Sequence, residues 1–248
     1  MTITATAITS RVITARAISA INSSATPVEP ICLSTFNGTS SYAEATNRVI
    51  NLDAVDPSFT IQWYGDLPGD GTIFSQNVSA SGASQEFRVF IFSDDFRVYL
   101  GGTSHILTTN VNPFAGYGVQ KLVYNFAAAT LQLFKDDALI ASVGSVSIGA
   151  AREPTARFKL MARSDGTPTS QAFFKAGDLK AVNILHNGIE YDLPMTECAV
   201  DGSVTYNETN GNTTYGYNVT TNEVFAPLFV DGVLQSDGIL TNETILGA

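Results

Sequence analysis

Residues 173–185, FFKAGDLKAVNIL, lie within the stretch 158–185 on which the fold prediction depends. From residue 179 the side chains alternate as in a β-strand, in which successive residues point to opposite faces. The predicted faces are Leu179, Ala181, Asn183 and Leu185 on one side and Lys180, Val182 and Ile184 on the other. The glycine and aspartate at 177–178 indicate a turn just before them. We predict that this strand pairs with the region of Phe36-Asn37-Gly38, so that the two ends of a β-sandwich meet there.

Strand patterns separated by turns continue through most of the chain from residue 31. Phe59, Ile61 and Trp63 alternate with polar residues, which indicates a half-buried strand with the single tryptophan facing inward. Residues 87–92 and 96–100 flank a short polar turn and predict a hairpin. Because no helical period persists, we predict an all-β fold of two packed antiparallel sheets.

Composition limits the classes of function. The 248 residues are 44% hydrophobic and 15% charged, which is enough to form a core, and the formal net charge is −10. An acidic chain disfavours nucleic acid as a partner, because phosphate binding needs a basic face. Membrane insertion is not expected, since no segment approaches the ~20 apolar residues of a spanning helix. Cys32 and Cys198 lack metal-ligand spacing, and their pairing is left open between a disulfide and two core thiols.

The first 30 residues have a different sequence pattern from the rest of the chain. Isoleucine recurs every fifth position, at Ile3, Ile8, Ile13 and Ile18. In an extended chain this odd period sends successive isoleucines to opposite faces, so that both faces would expose apolar side chains to solvent. We interpret the segment as an attachment or oligomerisation arm that other molecules cover, and a flexible Thr/Ala-rich leader is the alternative.

Over residues 31–187 the chain resembles the concanavalin A-like, laminin-G-type jelly-roll family. The resemblance rests on the order and spacing of FNGTSSY (36–42), FTIQW (59–63), GTIFS (71–75), LQLFKDD (131–137) and FKAGDL (174–179). It implies a concanavalin A-like two-sheet antiparallel jelly-roll sandwich with an extended N-terminal arm and a C-terminal β/loop extension. The predicted divisions are an arm and linker over 1–30, the jelly roll over 31–188 and the extension over 189–248. Because this fold hosts lectins, glycanases and adhesive modules alike, it does not fix a function.

A narrower resemblance points to structural proteins of tailed phages. LPMTE (193–197), VTYN (204–207) and YNVT (217–220) are similar to a segment that follows such domains in those proteins, although Cys198 and Ala199 replace its usual small residues. This resemblance implies a virion component, such as a head decoration protein, a head fibre or a tail fibre. The expected partners are other virion proteins and copies of the chain, with a trimer favoured, and the expected location is the virion surface after synthesis in the host cytoplasm.

Catalytic and metal sites are not predicted. Related glycanases use Glu-x-Asp-x-x-Glu, and here Glu190-Tyr191-Asp192 is followed by Met195 where the second glutamate belongs. His105 and His186 are interpreted as surface or turn residues. Some members of the family bind Ca²⁺ through loop carboxylates. The acidic pairs available for this are Asp66 with Asp70, Asp94 with Asp95, and Asp136 with Asp137.

Three tyrosines are candidates for carbohydrate contact. Tyr64 and Tyr99 lie out of phase with neighbouring core residues, and Tyr117 lies in a glycine-rich loop. Exposed aromatic rings beside polar groups suit sugars, although a subunit contact would give the same pattern. We therefore expect a non-enzymatic virion protein that displays a lectin-like jelly roll. The alternatives are a carbohydrate-binding adhesion module and, with less support, a degenerate glycan hydrolase.

Overall fold

The computed structural model describes residues 31–79, 81–93, 95–109, 112–167, 171–195, 200, 202–207, 213–217, 219–224, 229–230 and 233–234. Within this part the chain is all-β, with no α-helix and one 3-10 turn at Gly82–Ser84. Ile31–Val224 form one compact unit. The isoleucines at 3, 8, 13 and 18, the linker and the cysteine at 198 lie outside the described residues. The side chain of Cys32 is not described either, so the pairing of the two cysteines is not addressed.

Two large antiparallel sheets make up the unit. In spatial order, sheet A contains β10 (Ala138–Val143), β9 (Thr130–Lys135), β8 (Gly118–Asn125), β3 (Phe59–Asp66), β14 (Ala176–His186), β1 (Ile31–Asn37) and β18 (Thr220–Val224), with β15 (Ile189–Pro194) also on β14. Sheet B contains β16 (Ser203–Asn207), β17 (Thr213–Tyr217), β2 (Tyr42–Ala45), β11 (Phe158–Leu160), β4 (Gly71–Gln76), β5 (Phe87–Phe92), β6 (Asp95–Leu100) and β7 (Thr103–Thr108). Two short pairs complete the described strands: β12 (Arg163–Ser164) with β13 (Gln171–Ala172), and β19 (Phe229–Val230) with β20 (Val233–Leu234). The second of these pairs belongs to a different unit from Ile31–Val224.

The predicted pairing of the two distant segments is confirmed. In the β1–β14 ladder Phe36 lies opposite Gly177 and Asn37 lies opposite Ala176. β14 is a central strand, however, because it is hydrogen-bonded to β3 on one side and to both β1 and β15 on the other. The hairpin of β5 with β6 is also confirmed.

The predicted faces of β14 are wrong at its beginning. Leu179 lies opposite Gly65 and Ala181 lies opposite Tyr64, so Lys180 is an extra residue in a β-bulge. The bulge reverses the alternation, and Leu179 is buried on the core side together with Val182 and Ile184. Lys180 is half-buried, and its ammonium group lies over the Tyr64 ring on the outer face.

The core lies between the sheets and is rich in aromatic rings. The ring of Trp63 on β3 lies 5.2 Å from that of Phe74 on β4, at an angle of 77°. Phe59 contacts Phe87 across the same interior, with 5.4 Å between the ring centroids. Edge-to-face contacts of this kind add to the free energy gained by burying the rings. The prediction that Phe59, Ile61 and Trp63 face inward is confirmed, because all three are at most 2% exposed.

Residues after 188 contribute strands to both sheets. The predicted boundary at 188/189 falls in the turn of the β14–β15 hairpin, and His186 lies opposite Ile189. β17 pairs with β2 in sheet B, and β18 pairs with β1 in sheet A. The buried hydroxyl oxygens of Ser34 on β1 and Tyr206 on β16 are 2.6 Å apart and link the two sheets. The segment up to residue 224 is therefore part of the sandwich, because its strands complete both ladders.

Neighbouring residues on β14 provide a matched test of this assignment. We expect Ile184→Ala to lower the free energy of unfolding by about 2–5 kcal/mol, because its side chain is 4% exposed and faces the core. Leu185→Ala, which alters a side chain that is 48% exposed, is expected to lower it by less than about 1 kcal/mol. Denaturant unfolding of both variants measures the difference. Equal losses would contradict the assigned faces.

Candidate functional site

Two of the three predicted tyrosines lie together on the outer face of sheet A. Tyr64 is on β3, Tyr117 immediately precedes β8, and their stacked rings are 6.0 Å apart. The ammonium group of Lys180 lies 5.2 Å from the Tyr64 ring and 4.8 Å from the Tyr117 ring. The three side chains meet because the bulge in β14 turns Lys180 outward. We call these residues, with Asp66 and Asp178, the tyrosine face.

Hydrogen bonds fix the carboxylates of the tyrosine face. The Tyr117 hydroxyl donates to Asp178 Oδ2 at 2.6 Å, and the Thr35 hydroxyl donates to Asp178 Oδ1 at 2.6 Å. Asp66 Oδ1 accepts from the backbone N–H of Gly116 at 2.8 Å. Burial and the hydrogen bond to the Asp178 carboxylate raise the pKa of Tyr117, because the bond is donated by the protonated phenol. The face therefore presents oriented oxygen acceptors beside two aromatic rings.

Close backbone approach at the bulge explains two glycines. A Cβ at Gly65 would overlap the carbonyl oxygen of Asp178, and a Cβ at Gly177 would overlap that of Asp66. Gly177 also has φ +135°, a conformation that L side chains rarely adopt. These glycines allow the strands that carry Asp66 and Asp178 to approach each other, which brings the two carboxylates to one edge of the tyrosine face.

The outer face continues along β3 toward an open groove of about 590 Å³. Thr60, Gln62 and Tyr64 share this face, so it extends about 13 Å at the usual rise of a strand. The groove is lined by polar groups of Asp56, Ser58 and Asn187 together with the exposed side chain of Leu185. The surface is thus long, shallow, and both polar and apolar, a shape that suits an extended polar chain rather than a compact apolar ligand.

Tyr99 lies elsewhere, on the outer face of sheet B. Its ring stacks on that of Phe90 at 5.7 Å and 7°, and it lies opposite Arg88 in the β5–β6 ladder. The sequence prediction thus grouped residues that belong to two surfaces on opposite sides of the sandwich. It also missed Arg88, although the alternation of Arg88 with core residues in β5 already placed that arginine and Phe90 on one face.

The acidic turn pairs do not form a cluster that could hold a metal within the described residues. Around Asp66 and Asp70, the loop carbonyls of Pro68 and Gly69 accept hydrogen bonds from the Lys175 ammonium group. These two loop carbonyl oxygens thus already accept from a cationic side chain. Asp136 Oδ1 accepts from the N–H of Val119. Asp137 pairs with Lys121, and Asp94 lies outside the described residues.

The interpretation of both histidines as surface or turn residues is wrong. His186 is 3% exposed; its Nε2 accepts from the Asn51 N–H at 2.9 Å, and its Nδ1 lies 3.0 Å from the Ser58 carbonyl oxygen. Burial lowers the pKa of His186, which favours a neutral ring, and this ring joins the end of β14 to two points of the loop between β2 and β3. His105 is also buried and contacts the Ser147 carbonyl at 2.8 Å.

In the described part, no helix is long and apolar enough to cross a bilayer.

No protein-family model and no curated protein matches the chain. Among solved structures, it is similar to a proposed carbohydrate-binding protein from Bacteroides ovatus, with a TM-score of 0.54, 12% identity, and coverage of 84% of this chain and 64% of that one. The CBM40 of a Ruminococcus gnavus sialidase has a TM-score of 0.46 and 11% identity, with coverage of 62% of this chain and 90% of that one. A pentraxin from Limulus polyphemus has a TM-score of 0.45 and 10% identity, with coverage of 64% of this chain and 77% of that one. The chain has a concanavalin A-like jelly-roll fold. At these identities the likeness is one of fold alone.

The buried lysine at the acidic loop predicts a pH dependence of stability. Burial lowers the pKa of Lys175 from its usual 10.5 to about 8. Between these values the unfolded chain binds more protons than the folded one, so this residue's contribution to the free energy of unfolding increases with pH. We expect the wild type to gain on the order of 3 kcal/mol over Lys175→Met between pH 8 and pH 10.5, measured by denaturant unfolding.

Lys180→Met is the control for this measurement, since it removes a lysine that is half-buried over the Tyr64 and Tyr117 rings, whereas Lys175 is fully buried. A difference between the wild type and Lys175→Met that stays constant over this pH range would contradict the assigned environment of Lys175.

Proposed function

We propose that this chain is a non-enzymatic carbohydrate-binding protein that holds a neutral saccharide on the tyrosine face. The observation that carries this proposal is the convergence of Tyr64 and Tyr117 beside the fixed carboxylate of Asp178. Aromatic rings can pack on the C–H surface of a sugar while carboxylates accept its hydroxyl protons. The role proposed for the Bacteroides ovatus protein of the same fold is consistent with this function.

Lys180 determines how such a ligand would reach the rings. Its ammonium group lies over both tyrosines, so a sugar that stacks there must displace it. The lysine side chain is a flexible four-carbon stem, so its ammonium group can move along the face without disturbing the backbone. The longer path from Tyr64 past Gln62 to the groove favours an oligosaccharide over a monosaccharide, because each additional sugar adds contacts along β3.

Binding of neutral oligosaccharides tests the proposal. A glycan array identifies a ligand, and calorimetry then compares the wild type with Tyr64→Ala and Tyr117→Ala. We expect each substitution to weaken binding about tenfold or more, because each ring is a central contact. Tyr99→Ala is the control and should leave the affinity within about twofold, since Tyr99 lies on the other sheet. The proposal fails if neither tyrosine variant on sheet A alters binding, or if no neutral glycan binds.

We retain as a separate proposal that the chain is a component of a tailed-phage particle, attached through residues 1–30 and assembled as a trimer. Its support is the sequence resemblance and the five-residue period of isoleucine, which leaves apolar side chains on both faces of an extended arm. The virion surface as location depends on the same arguments.

Deletion of residues 1–24 tests the attachment role. We expect the shortened chain to lose particle association and trimer formation, because it lacks the isoleucines that need cover from other molecules. Particle occupancy and light scattering measure the two losses. Binding of neutral glycans by the same shortened protein is the control, since the tyrosine face lies within residues 31–224. Unchanged occupancy would exclude the docking role.

A further inference from the structure

A second cluster of chemically distinctive side chains lies on the outer face of sheet B. We call it the arginine–aromatic patch, and it consists of Arg88, Phe90, Tyr99, Arg163 and Phe173. The Arg88 guanidinium lies 4.0 Å from the centre of the Phe90 ring and 5.0 Å from that of Phe173. The Arg163 guanidinium lies 4.3 Å from the same Phe173 ring. Stacking on aromatic rings holds a guanidinium plane in a fixed orientation.

Arg88 is held rigidly and is almost entirely buried. The residue is 6% exposed, and its Nε donates to the Thr72 hydroxyl at 3.0 Å. Its two terminal nitrogens, Nη1 and Nη2, make no hydrogen bond within the described part of the chain. Neither nitrogen is among the fully buried atoms that lack a partner, so this edge of the guanidinium reaches the surface.

The charge environment of Arg88 differs from that of the other described arginines. Each of the others forms an ion pair with a carboxylate: Arg48 with Glu86, Arg97 with Asp95, Arg152 with Asp53, Arg157 with Glu44, and Arg163 with Asp165. No carboxylate of the described residues lies within ion-pair distance of Arg88. Burial, and then the positive charge of Arg163, lower the pKa of Arg88 to about 9. A bound anion would offset both effects.

Phe173 adds an exposed apolar surface at the edge of the patch. Its side chain is 53% exposed, and its φ of 53° places a bulky residue in the left-handed region. That conformation costs roughly 1 kcal/mol or more, and such strain often accompanies ligand-contacting segments. The Phe173 carbonyl accepts from the Thr72 N–H at 2.9 Å, which fixes the loop against β4. The ring is therefore held at the surface next to two guanidinium groups.

We propose that the arginine–aromatic patch is a second binding site, which takes a carboxylate-bearing sugar residue such as a uronic acid. The free edge of Arg88 binds the planar carboxylate with two parallel N–H···O hydrogen bonds, and Phe173 packs against the sugar ring. The choice of a saccharide as ligand rests on the proposed function. The site itself is separate from the tyrosine face, because it is built on the opposite sheet.

Calorimetry with an oligogalacturonate and with a neutral oligogalactoside of equal length tests this site. We expect the acidic sugar to bind the wild type and to bind Arg88→Gln about tenfold or more weakly. Phe173→Ala is expected to weaken it about threefold or more, through loss of the ring contact. Arg157→Gln is the matched control for charge, because Arg157 already pairs with Glu44. That variant and Tyr117→Ala should leave the affinity for the acidic sugar within about twofold.

Three results would overturn the second site. The oligogalacturonate does not bind, Arg88→Gln weakens binding of the neutral sugar as much as binding of the acidic one, or acidic-sugar binding is lost in Tyr117→Ala and not in Arg88→Gln. Thermal melting identifies any variant that does not fold. If Arg88→Gln unfolds, Phe173→Ala decides the question, because its side chain is exposed and its removal leaves the core intact. Neutral-glycan binding that Tyr117→Ala weakens and Arg88→Gln leaves unchanged reports on the tyrosine face, so the failure of one site can be distinguished from the failure of the other.

Discussion

The pairing of β14 with β3, with one extra residue at Lys180, is the constraint on which both the core and the outer face of sheet A depend. A strand that continued its regular alternation through residue 180 would place Leu179 in solvent and Lys180 in the core. The bulge avoids both penalties, since Leu179 is fully buried and Lys180 lies over two tyrosine rings. The small residue at position 65 makes room for this irregular pairing. Bulges re-aim side chains in this way beside functional sites in many sheets.

The two outer faces of the sandwich carry different chemistry because they contain different local charges. The tyrosine face holds aromatic rings beside the Asp66 and Asp178 carboxylates, whose oxygens accept protons from hydroxyl groups. The arginine–aromatic patch instead holds stacked guanidinium groups, one of them without an anionic partner in the described part. A chain with a net charge of −10 thus contains a guanidinium group, that of Arg88, that forms no ion pair with the described carboxylates. Net charge alone is a poor guide to the ligands of individual surfaces.

Buried polar groups maintain the loops that connect the sheets. Lys175 donates to two carbonyl oxygens of the loop that contains Asp66 and Asp70, and the neutral ring of His186 connects the Asn51 and Ser58 backbones. From the sequence, His186 had been interpreted as a surface or turn residue, and Asp66 with Asp70 had been considered as ligands of Ca²⁺. In the structure the loop carbonyl oxygens offset the burial of the Lys175 ammonium group, and the His186 ring satisfies backbone groups of Asn51 and Ser58.

Local patterns in the sequence were enough to determine the all-β class and the inward position of Trp63, because alternation and turn residues act over a few positions. The pairing of the segment near Phe36 with β14 was predicted from the resemblance to the jelly-roll family, since no local pattern joins segments so far apart in the chain. Local patterns could not determine the bulge at Lys180, since it depends on the backbone of Gly65, more than a hundred residues earlier in the chain. The meeting of Tyr64 with Tyr117, and the stacking of Arg88 on Phe173, likewise required tertiary structure. These contacts join residues distant in sequence, and only the register of the assembled sheets brings them together.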